Sequence, residues 1–222
     1  MRKVVAAAFV SVDGVMQAPG GPEEDPTGGF RYGGWTAPYF DEGVGEAMGE
    51  IFERPYDLLL GRKTWEIFAA HWPYAEDGPD SEIAKVFNRI TKYVATRSDA
   101  PLSWANSVAL RDPARDVARL KGEDGPDLMI QGSSVLIQTL LAERLIDEVS
   151  LLVFPVVLGP GKRFFGDGAS GQALSLEKSR TTASGVSINR YLPAGEVKTG
   201  SFALETPTEA ELMRRKRMEQ EG

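Results

Sequence analysis

Residues 127–154 carry the pattern that most restricts how this chain can fold. The apolar run Leu128-Met129-Ile130 ends at the turn Gly132-Ser133-Ser134, a helical pattern spans Val135 to Ala142, and the apolar stretch Leu145 to Phe154 follows. A strand, a glycine turn, a helix and a second strand within about 30 residues form a βαβ crossover, which joins parallel strands. The chain is therefore predicted to be an α/β protein built on a parallel sheet.

Hydrophobic periodicity extends this alternation of strands and helices along the chain. Further strands are predicted at Val4 to Val12, Tyr56 to Leu60, Tyr93 to Thr96 and Ser107 to Leu110. Helices are predicted after Pro38, over Arg62 to Ala70, over Ser81 to Arg89 and from Asp112-Pro113 onward.

The last third of the chain contains a hairpin pattern and then changes character. Two antiparallel strands, Leu174 to Ala183 and Gly185 to Leu192, are expected around a turn at Ser184-Gly185. We expect residues 1–193 to form one domain and residues 194–222 to form a tail. The mixed charges of Glu209 to Glu221 predict a solvated helix in that tail.

The composition is that of a globular protein and argues against several classes of function. Hydrophobic residues make up 42% of the chain and charged residues 26%. No apolar stretch approaches the ~20 residues that cross a bilayer. We therefore expect a cytoplasmic location and no binding to membranes. The net charge of −7 disfavours nucleic acid as a partner. Cysteine is absent and no cluster of ligands has metal-binding spacing, so no metal site is predicted.

A long loop separates the first strand from the first helix. Residues 17–34 are crowded with glycine and proline, including Pro19-Gly20-Gly21-Pro22 and Gly33-Gly34. Long ordered loops in compact domains are often lids over a functional site. A variable surface insertion would have the same composition, and both interpretations stay open at the level of sequence.

Two glycine turns have the features of phosphate-binding sites. Gly61-Arg62-Lys63-Thr64 follows the predicted strand at 56–60, and Gly132-Ser133-Ser134-Val135 follows the strand at 127–131. A helix that starts after such a turn offers free N–H groups and the positive end of its dipole to an anion. Neither turn is the G-x-G-x-x-G fingerprint of a Rossmann domain, and no P-loop is present.

A third polar segment, Thr96-Arg97-Ser98, follows the strand at 93–96. An arginine beside hydroxyl groups is suited to bind the 2′-phosphate that distinguishes NADPH from NADH. Arg62 is placed to contact the same phosphate from the neighbouring turn. Three such segments on successive strands predict NADPH as the cofactor.

Several motifs together resemble one known group of proteins. Gly61-Arg62-Lys63-Thr64-Trp65-Glu66 is similar to the G-R-x-T-[WY]-E segment of the dihydrofolate reductase-like superfamily. Ser11-Val12-Asp13-Gly14 resembles the S-x-D-G turn of its riboflavin-biosynthesis branch, which includes the reductase half of the bifunctional deaminase-reductase. Leu145-Ile146-Asp147-Glu148-Val149 and Pro155-Val156-Val157-Leu158-Gly159 match L-I-D-E-[LV] and P-V-x-L-G of that branch. The resemblance covers roughly residues 1–193.

The resemblance implies a three-layer fold and a cofactor position. It implies a mostly parallel sheet with an antiparallel C-terminal strand, helices on both faces, and NADPH lying across the carboxyl ends of the strands. In that position Arg62 and Arg97 hold the 2′-phosphate, while Thr64 and the Gly132–Val135 turn hold the pyrophosphate. Residues from Val10 to Met16 border the nicotinamide. The chain has Gly132-Ser133-Ser134 where many relatives have paired glycines.

The resemblance also bears on assembly. Relatives in this branch are commonly dimers, so a homodimer is expected. The apolar stretch Leu151 to Val157 is suited to a subunit contact, and it is equally what a central strand looks like.

Three residues are candidates for acid–base chemistry, each with a structural alternative. Asp41 follows Trp35 and Pro38 much as dihydrofolate reductases place an acid, although the spacing is one residue longer, and it is also a good helix N-cap. Asp13 precedes Gly14 and is equally a turn residue. His71 is the only histidine, and its position at a helix end favours a capping or packing role.

Aromatic residues near the loop suit a flat substrate or the core. Seven of them either belong to the core or line a pocket for a heteroaromatic ring: Trp35, Tyr39, Phe40, Trp65, Trp72, Phe164 and Phe165. The leading hypothesis is an NADPH-dependent reductase of a phosphoribosylamino-pyrimidine or related small heterocycle, similar to 5-amino-6-(5-phosphoribosylamino)uracil reductase. The alternatives are a dihydrofolate or pterin reductase and a non-catalytic NADPH-binding protein. The chain carries no deaminase zinc signature, so a riboflavin role would need a separate deaminase.

Overall fold

In the computed structural model, which describes residues 1–166 and 169–221, strands and helices alternate as predicted. The strands are β1 (Val4–Ser11), β2 (Tyr56–Gly61), β3 (Lys92–Ala95), β4 (Ser107–Leu110), β5 (Asp127–Ile130), β6 (Glu148–Phe154), β7 (Leu174–Thr181) and β8 (Ser187–Pro193). The helices are α1 (Glu42–Ile51), α2 (Arg62–His71), α3 (Ser81–Arg89), α4 (Pro113–Gly122), α5 (Ser134–Ala142) and α6 (Glu209–Glu221).

The strands of the described residues form one eight-stranded sheet in the order β4-β3-β2-β5-β1-β6-β8-β7. All pairings among β1 to β6 are parallel. The final strand, β8, is antiparallel to both β6 and β7. The fold is therefore the mostly parallel α/β sheet with an antiparallel C-terminal strand that the resemblance implied.

Helices cover both faces of the sheet. The central parallel strands carry apolar side chains on both faces, and each face must be buried. On one face, Trp65 of α2 and Phe87 of α3 pack against Val5 and Leu58, and α1 packs beside them through Val44. On the other face, residues of α4 and α5 such as Val117, Leu120, Leu136 and Leu140 pack against Val4, Ala6 and Ile130. The chain thus has three layers around a central β1.

The boundaries of several elements differ from the sequence-based prediction. Leu145 to Asp147 precede β6 rather than belonging to it, and the Asp147 carboxylate accepts a hydrogen bond from the Val4 N–H at 2.8 Å. The crossover through α5 skips one position, because β6 pairs with β1 and not with β5. Pro38 lies in a short 3-10 turn, Ala37–Tyr39, and α1 begins only at Glu42.

Two further predictions concern the chain's surfaces. The stretch Leu151 to Val157 begins in β6, which is paired on both sides by β1 and β8, so it forms a central strand. The homodimer remains a prediction. The tail helix α6 has no buried residue, as its mixed charges predicted. Within the described residues, no helix combines the length and apolar character that a membrane span requires.

Candidate functional site

A large cavity runs along the carboxyl edge of the sheet. Its volume is about 1700 Å³, and its lining includes Phe9, Gly61, Ala95 and Gln131, which lie near the carboxyl ends of β1, β2, β3 and β5. The strand β1 lies between β5 and β6, where the chain order reverses direction. Open α/β sheets bind ligands at such a switch point because the loops diverge there and leave a crevice.

The two glycine turns predicted from sequence meet on the cavity wall. A Cβ atom at Gly61 would overlap the Ser133 hydroxyl and lie 2.9 Å from the Ser133 Cβ. A Cβ atom at Gly132, whose φ is +126°, would lie 3.1 Å from the Thr64 hydroxyl. Each glycine therefore accommodates a side chain of the other turn, because β2 and β5 are neighbours in the sheet.

The N-terminal N–H groups of α2 and α5 are available to a ligand. Among the described residues, no side chain caps the start of either helix, where Gly61 and Ser133 are the N-cap residues. The helices α1 and α4, in contrast, are capped by the side chains of Asp41 and Asp112. Free N–H groups and the positive dipole ends at the cavity wall favour an anionic ligand.

The cavity has a cationic end beyond β3 and β4. Thr96, Arg97 and Arg111 line it. The Arg111 guanidinium donates a 2.6 Å hydrogen bond to the Ser98 carbonyl and lies 3.0 Å from the Asp99 carboxylate, which holds it beside Arg97. Ser98 itself is not on the wall. Arg111 was not predicted from the sequence, although its position directly after β4 is the same signal that indicated Arg97 after β3.

Arg62 lies on the cavity wall but its guanidinium already has partners. It donates a 2.7 Å hydrogen bond to Glu66 and a 3.2 Å bond to the Ala100 carbonyl, and it lies 5.0 Å from the centre of the Trp65 ring. These contacts connect α2 to the segment that follows Arg97. Arg62 therefore positions the cationic end of the cavity, whether or not it also binds a ligand.

Of the two residues predicted to border the nicotinamide, Met16 lies on the cavity wall and Val10 lies in the core. Met16 lines the cavity together with Thr64, Ser134 and Val135 of the predicted cofactor set. Val10 does not line it, because its side chain packs into the core on the α4–α5 face of the sheet.

The opposite part of the cavity has an apolar and mostly aromatic wall. It is formed by residues of α1, α2, α3 and the segment before α1: Phe40, Met48, Phe52, Ile67, Phe68, Trp72, Ile83 and Phe87. The Phe68 and Phe87 rings are stacked, with centroids 5.9 Å apart. Such a wall excludes water and favours a flat apolar ring.

The aromatic residues that the sequence analysis singled out do not all belong to this wall. Phe40 and Trp72 line the cavity, whereas Trp35, Trp65 and Phe164 are buried in the core. Phe165 is half-exposed and packs against Phe164 away from the cavity. The choice between core and pocket, which the sequence left open, therefore differs from one ring to the next, because periodicity does not show which side of a loop an aromatic ring faces. His71 does line the cavity, 4.8 Å from the Trp72 ring.

The loop of residues 17–34 forms one side of the cavity. Gln17 to Gly21, Glu24 and Asp25 lie on the wall. Gln17 connects the two ends of this segment, because its amide donates 2.9 Å hydrogen bonds to the carbonyls of Asp25 and Thr27. The described geometry therefore favours the lid interpretation over a surface insertion. The sequence analysis did not single out Glu24 or Asp25.

Asp41 lies at the N-terminus of α1 and not on the cavity wall. Its carboxylate accepts hydrogen bonds from the Ser184 N–H at 2.8 Å and the Val44 N–H at 3.0 Å. These bonds, above all the one from Ser184, lower the pKa of Asp41 to about 2. An acid that is ionised throughout the neutral range does not donate a proton, so the geometry fits the N-cap role.

Asp13 has the geometry of a turn residue. Its carboxylate accepts hydrogen bonds from the Ser11 hydroxyl at 2.6 Å, the Leu158 N–H at 3.1 Å and the Gly159 N–H at 2.8 Å. Partial burial works to raise the pKa of Asp13, but these hydrogen bonds outweigh it and hold the pKa below its ordinary value. The side chain joins the turn after β1 to the segment after β6 and lies off the cavity wall.

Sequence comparison identifies the family of this chain. The family model of the RibD C-terminal domain matches residues 2–188. The chain belongs to the RibD C-terminal domain family. The match includes both glycine turns and all of the cavity-lining segments described above.

Individual proteins are also similar to this chain over most of its length. The uncharacterized protein YyaP of Bacillus subtilis (strain 168) is 28% identical over 187 residues, which cover 83% of this chain and 92% of YyaP. Among solved structures, a pyrimidine reductase-like protein of Corynebacterium diphtheriae has a TM-score of 0.58 at 12% identity, with coverage of 88% of this chain and 93% of that protein.

A more distant structural relative is the dihydrofolate reductase of Enterococcus faecalis, solved in complex with NADP(H). Its TM-score is 0.53 at 13% identity, with coverage of 86% of this chain and 96% of that protein. At this level of identity the two structural likenesses establish the fold alone. The family match, together with the shared fold, confirms the riboflavin-biosynthesis branch of the dihydrofolate reductase-like superfamily that the motifs had indicated.

Proposed function

We propose that this protein is an NADPH-dependent reductase that transfers a hydride to a C=N or C=O bond of a small planar heterocycle. The observation that carries the proposal is the continuity of the cavity. One space of about 1700 Å³ connects the cationic residues, the paired glycine turns and the aromatic wall. A dinucleotide and a ring substrate need these three environments in that order.

The cofactor end fits NADPH in its charge and its shape. Arg97 and Arg111 provide guanidinium groups for the 2′-phosphate, and such groups bind phosphate in a bidentate manner. The N–H groups that start α2 and α5 face the pyrophosphate, with Thr64 and Ser133 adding hydroxyl donors. Support also comes from the Enterococcus faecalis dihydrofolate reductase, which shares the fold and was solved with NADP(H). When bound, NADPH supplies the hydride.

The substrate end fits a flat ring with little charge. Phe40, Phe68 and Trp72 supply ring faces and edges, and the apolar residues around them exclude water from the reacting centre. The chain's own contribution to the reaction is to hold the ring close to the nicotinamide and to keep solvent away. The likeness to a pyrimidine reductase-like protein supports a heterocyclic substrate.

The experiment that tests this proposal is a titration of the purified protein with NADPH and with NADH, followed by nicotinamide fluorescence. We expect tighter binding of NADPH. The variant Arg97→Ala/Arg111→Ala is expected to lose about tenfold or more in NADPH affinity, since charge-assisted hydrogen bonds contribute about 1.5–3 kcal/mol each. Its affinity for NADH should change little.

The control is Arg115→Ala, which removes an exposed arginine of the neighbouring helix α4 that does not line the cavity. It should bind both cofactors as the wild type does. If the wild type binds neither NADPH nor NADH, the reductase proposal is wrong. If NADPH binds but no imine, ketone or pterin is reduced, the non-catalytic alternative replaces it.

A further inference from the structure

The loop over the cavity contributes the carboxyl group of Glu24 to the cavity wall. Glu24 lines the cavity and is half-buried. Its Oε2 atom accepts a 2.6 Å hydrogen bond from the Gly20 N–H, and its own N–H donates to the Gly21 carbonyl at 3.2 Å. The carboxyl group is therefore held on the cavity wall by the backbone of its own loop.

The loop that carries Glu24 is fixed to the rest of the domain. The Trp35 indole N–H donates to the Gln17 carbonyl at 2.8 Å, and the Thr36 hydroxyl donates to the Pro19 carbonyl at 2.7 Å. The Gln17 side chain also accepts from the Lys162 N–H at 3.0 Å. A group presented from a fixed segment can be positioned for chemistry at little cost in conformational entropy.

Glu24 and its neighbour Asp25 have opposite electrostatic environments. The Asp25 carboxylate pairs with the Lys162 ammonium and accepts from the Thr27 hydroxyl at 2.5 Å. Burial works to raise the pKa of Asp25, but the contacts with Lys162 and Thr27 outweigh it, so the pKa is lowered. Glu24 has no ion pair among the described residues. Its burial raises its pKa, and this effect outweighs the backbone hydrogen bonds from Gly20 and Gly21, which lower it.

The other charged groups on the cavity wall do not neutralise Glu24. The Lys162 ammonium forms an ion pair with the Asp25 carboxylate. Across the cavity, α2 contributes Arg62, which pairs with Glu66, and also Lys63 and His71. The helix α3 begins after Asp80, and in the described residues α1 adds only Met48 and Gly49 to the wall. Arg97 and Arg111 follow β3 and β4, at least three strand spacings from β1, or about 14 Å. Asp112 caps α4.

We propose that Glu24 is the proton donor of this cavity, an assignment that rests on the proposed reductase function. As hydride is added to the carbon of the C=N or C=O bond, the bond's electron pair moves to the nitrogen or oxygen. The Glu24 carboxylic acid delivers its proton to that atom. The products are the reduced amine or alcohol, the oxidised nicotinamide and the Glu24 carboxylate, which takes a proton back from solvent. A pair of adjacent carboxyl groups in opposite environments is a recurrent arrangement for such chemistry.

The first test measures the ionisation of Glu24 without any substrate. The full chain, labelled with carboxyl carbon-13 glutamate and saturated with NADPH, is titrated by NMR, and Glu24→Gln and Glu23→Gln identify two of the resonances. Glu23 is the matched control, because it is exposed and does not line the cavity. We expect the Glu24 carboxyl group to titrate at a higher pH than that of Glu23. An equal or lower pH would overturn the proposal.

The second test uses 7,8-dihydropterin, a planar heterocycle with a C=N bond, in single-turnover reductions at saturating NADPH. Loss of a positioned general acid slows a reaction by about 10²- to 10⁴-fold. The wild-type rate should fall as the pH rises, because the Glu24 acid loses its proton. We expect Glu24→Gln to be slower by this factor near pH 7 and to show no such fall with pH. Glu23→Gln should keep both the wild-type rate and its fall with pH. Glu24→Asp should restore part of the rate. A Glu24→Gln rate equal to that of Glu23→Gln would overturn the proposal.

NADPH affinity separates a failure of this proposal from a failure of the proposed function. Glu24→Gln should bind NADPH as the wild type does, because Glu24 follows β1 and the phosphate-binding residues follow β2 to β5. If the wild type and Glu23→Gln bind no NADPH, the proposed function itself is wrong. If both bind NADPH and the Glu24 resonance titrates with that of Glu23, only the assignment of the proton donor is wrong.

Discussion

The backbone of Gly61 is in close contact with the Ser133 side chain, just where two neighbouring strands end. The Ser133 side chain lies where a side chain at residue 61 would have to be. Gly61 has a φ of −74°, which any residue can adopt, so the requirement for glycine there is purely steric. This contact joins the turns that start α2 and α5, on which the proposed binding of pyrophosphate depends.

The substitution Gly61→Ala is therefore expected to separate the two turns. Overpacking of this kind costs about 1–3 kcal/mol of stability, and we expect NADPH affinity to fall with it. Urea denaturation and the NADPH titration measure the two effects. The double variant Gly61→Ala/Ser133→Gly should recover most of the lost stability, since it removes the overlapping atoms.

The control for this prediction is Gly45→Ala. Gly45 lies in α1, and a Cβ atom there has no neighbour within 4 Å, so this variant should be at least as stable as the wild type. A Gly61→Ala variant with unchanged NADPH affinity and stability would show that the turns tolerate separation.

The substitution Trp35→Ala should reduce the stability of the folded chain. Trp35 is 7% exposed, its ring centre lies 5.4 Å from that of Phe154, and its indole N–H holds the Gln17 carbonyl. Removal of a buried aromatic side chain costs about 3–5 kcal/mol. Phe40→Ala is the comparison, because Phe40 lines the cavity and is 52% exposed. Urea denaturation should show a much smaller loss for Phe40→Ala, and an equal loss would contradict this assignment of core and wall.

The N-cap role of Asp41 predicts a specific dependence of stability on pH. The folded-state pKa of about 2 lies below the ordinary value of 3.8, so the ionised group stabilises the folded chain above about pH 4. That contribution is lost as the pH falls from 4 to 2. Thermal unfolding should therefore show Asp41→Asn to be less stable than the wild type at pH 7 and similar to it near pH 2.

Glu42→Gln is the control for Asp41, because Glu42 is an exposed neighbour in the first turn of the same helix. It should follow the wild type across this pH range. A difference between Asp41→Asn and the wild type that persists unchanged at pH 2 would mean that the ionised carboxylate is not the source of the stabilisation.

Lys92 predicts a second pH effect, at alkaline pH. Its side chain is buried, and its ammonium donates to the carbonyls of Phe87 at 2.9 Å and Asn88 at 3.1 Å. Burial lowers the pKa of Lys92 from 10.5 to about 8. Between these values the unfolded chain binds more protons than the folded chain, so the free energy of unfolding rises with pH. This group contributes a slope of up to about 1.4 kcal/mol per pH unit.

The measurement is the free energy of unfolding in urea between pH 8 and pH 10. Lys92→Met should lack the rise, whereas Lys85→Met, which removes an exposed lysine paired with Glu82, should keep it. Higher pH is avoided because the pKa of the buried Tyr56 is raised above its ordinary value of 10, and ionisation of unfolded tyrosine then favours unfolding. An equal slope in both variants would place the Lys92 pKa near its ordinary value.

Local signals in the sequence were sufficient for most of the architecture. The apolar runs and glycine turns predicted the βαβ order, and the hairpin at Ser184-Gly185 was expected from its turn residues. Capping residues also predicted a helix start correctly. Asp112-Pro113 starts α4, because a helix cap depends only on contacts with the neighbouring backbone. The start of β6 was missed, because Leu145-Ile146-Asp147 is apolar enough to extend a strand but lies before the pairing with β1 begins.

The candidate site was predictable only in part. Residues directly after parallel strands, such as Thr64, Arg97 and Ser134, lie on the cavity wall because all such ends meet at one edge of the sheet. Residues in loops and on helix faces had no comparable signal. Glu24 and His71 face the cavity, whereas Trp35 and Phe165 do not, and no local pattern distinguishes these cases.

The sequence by itself determined the order of strands and helices, the glycine turns and the family, because these depend on residues close together in the chain. Only the tertiary structure decided the neighbours across the sheet, such as β1 between β5 and β6. It also decided that Gly61 meets Ser133, that Arg111 joins Arg97 and that Glu24 lies on the cavity wall beside the Asp25–Lys162 pair. These relationships join residues that are distant in the chain, and packing across the whole domain brings them together.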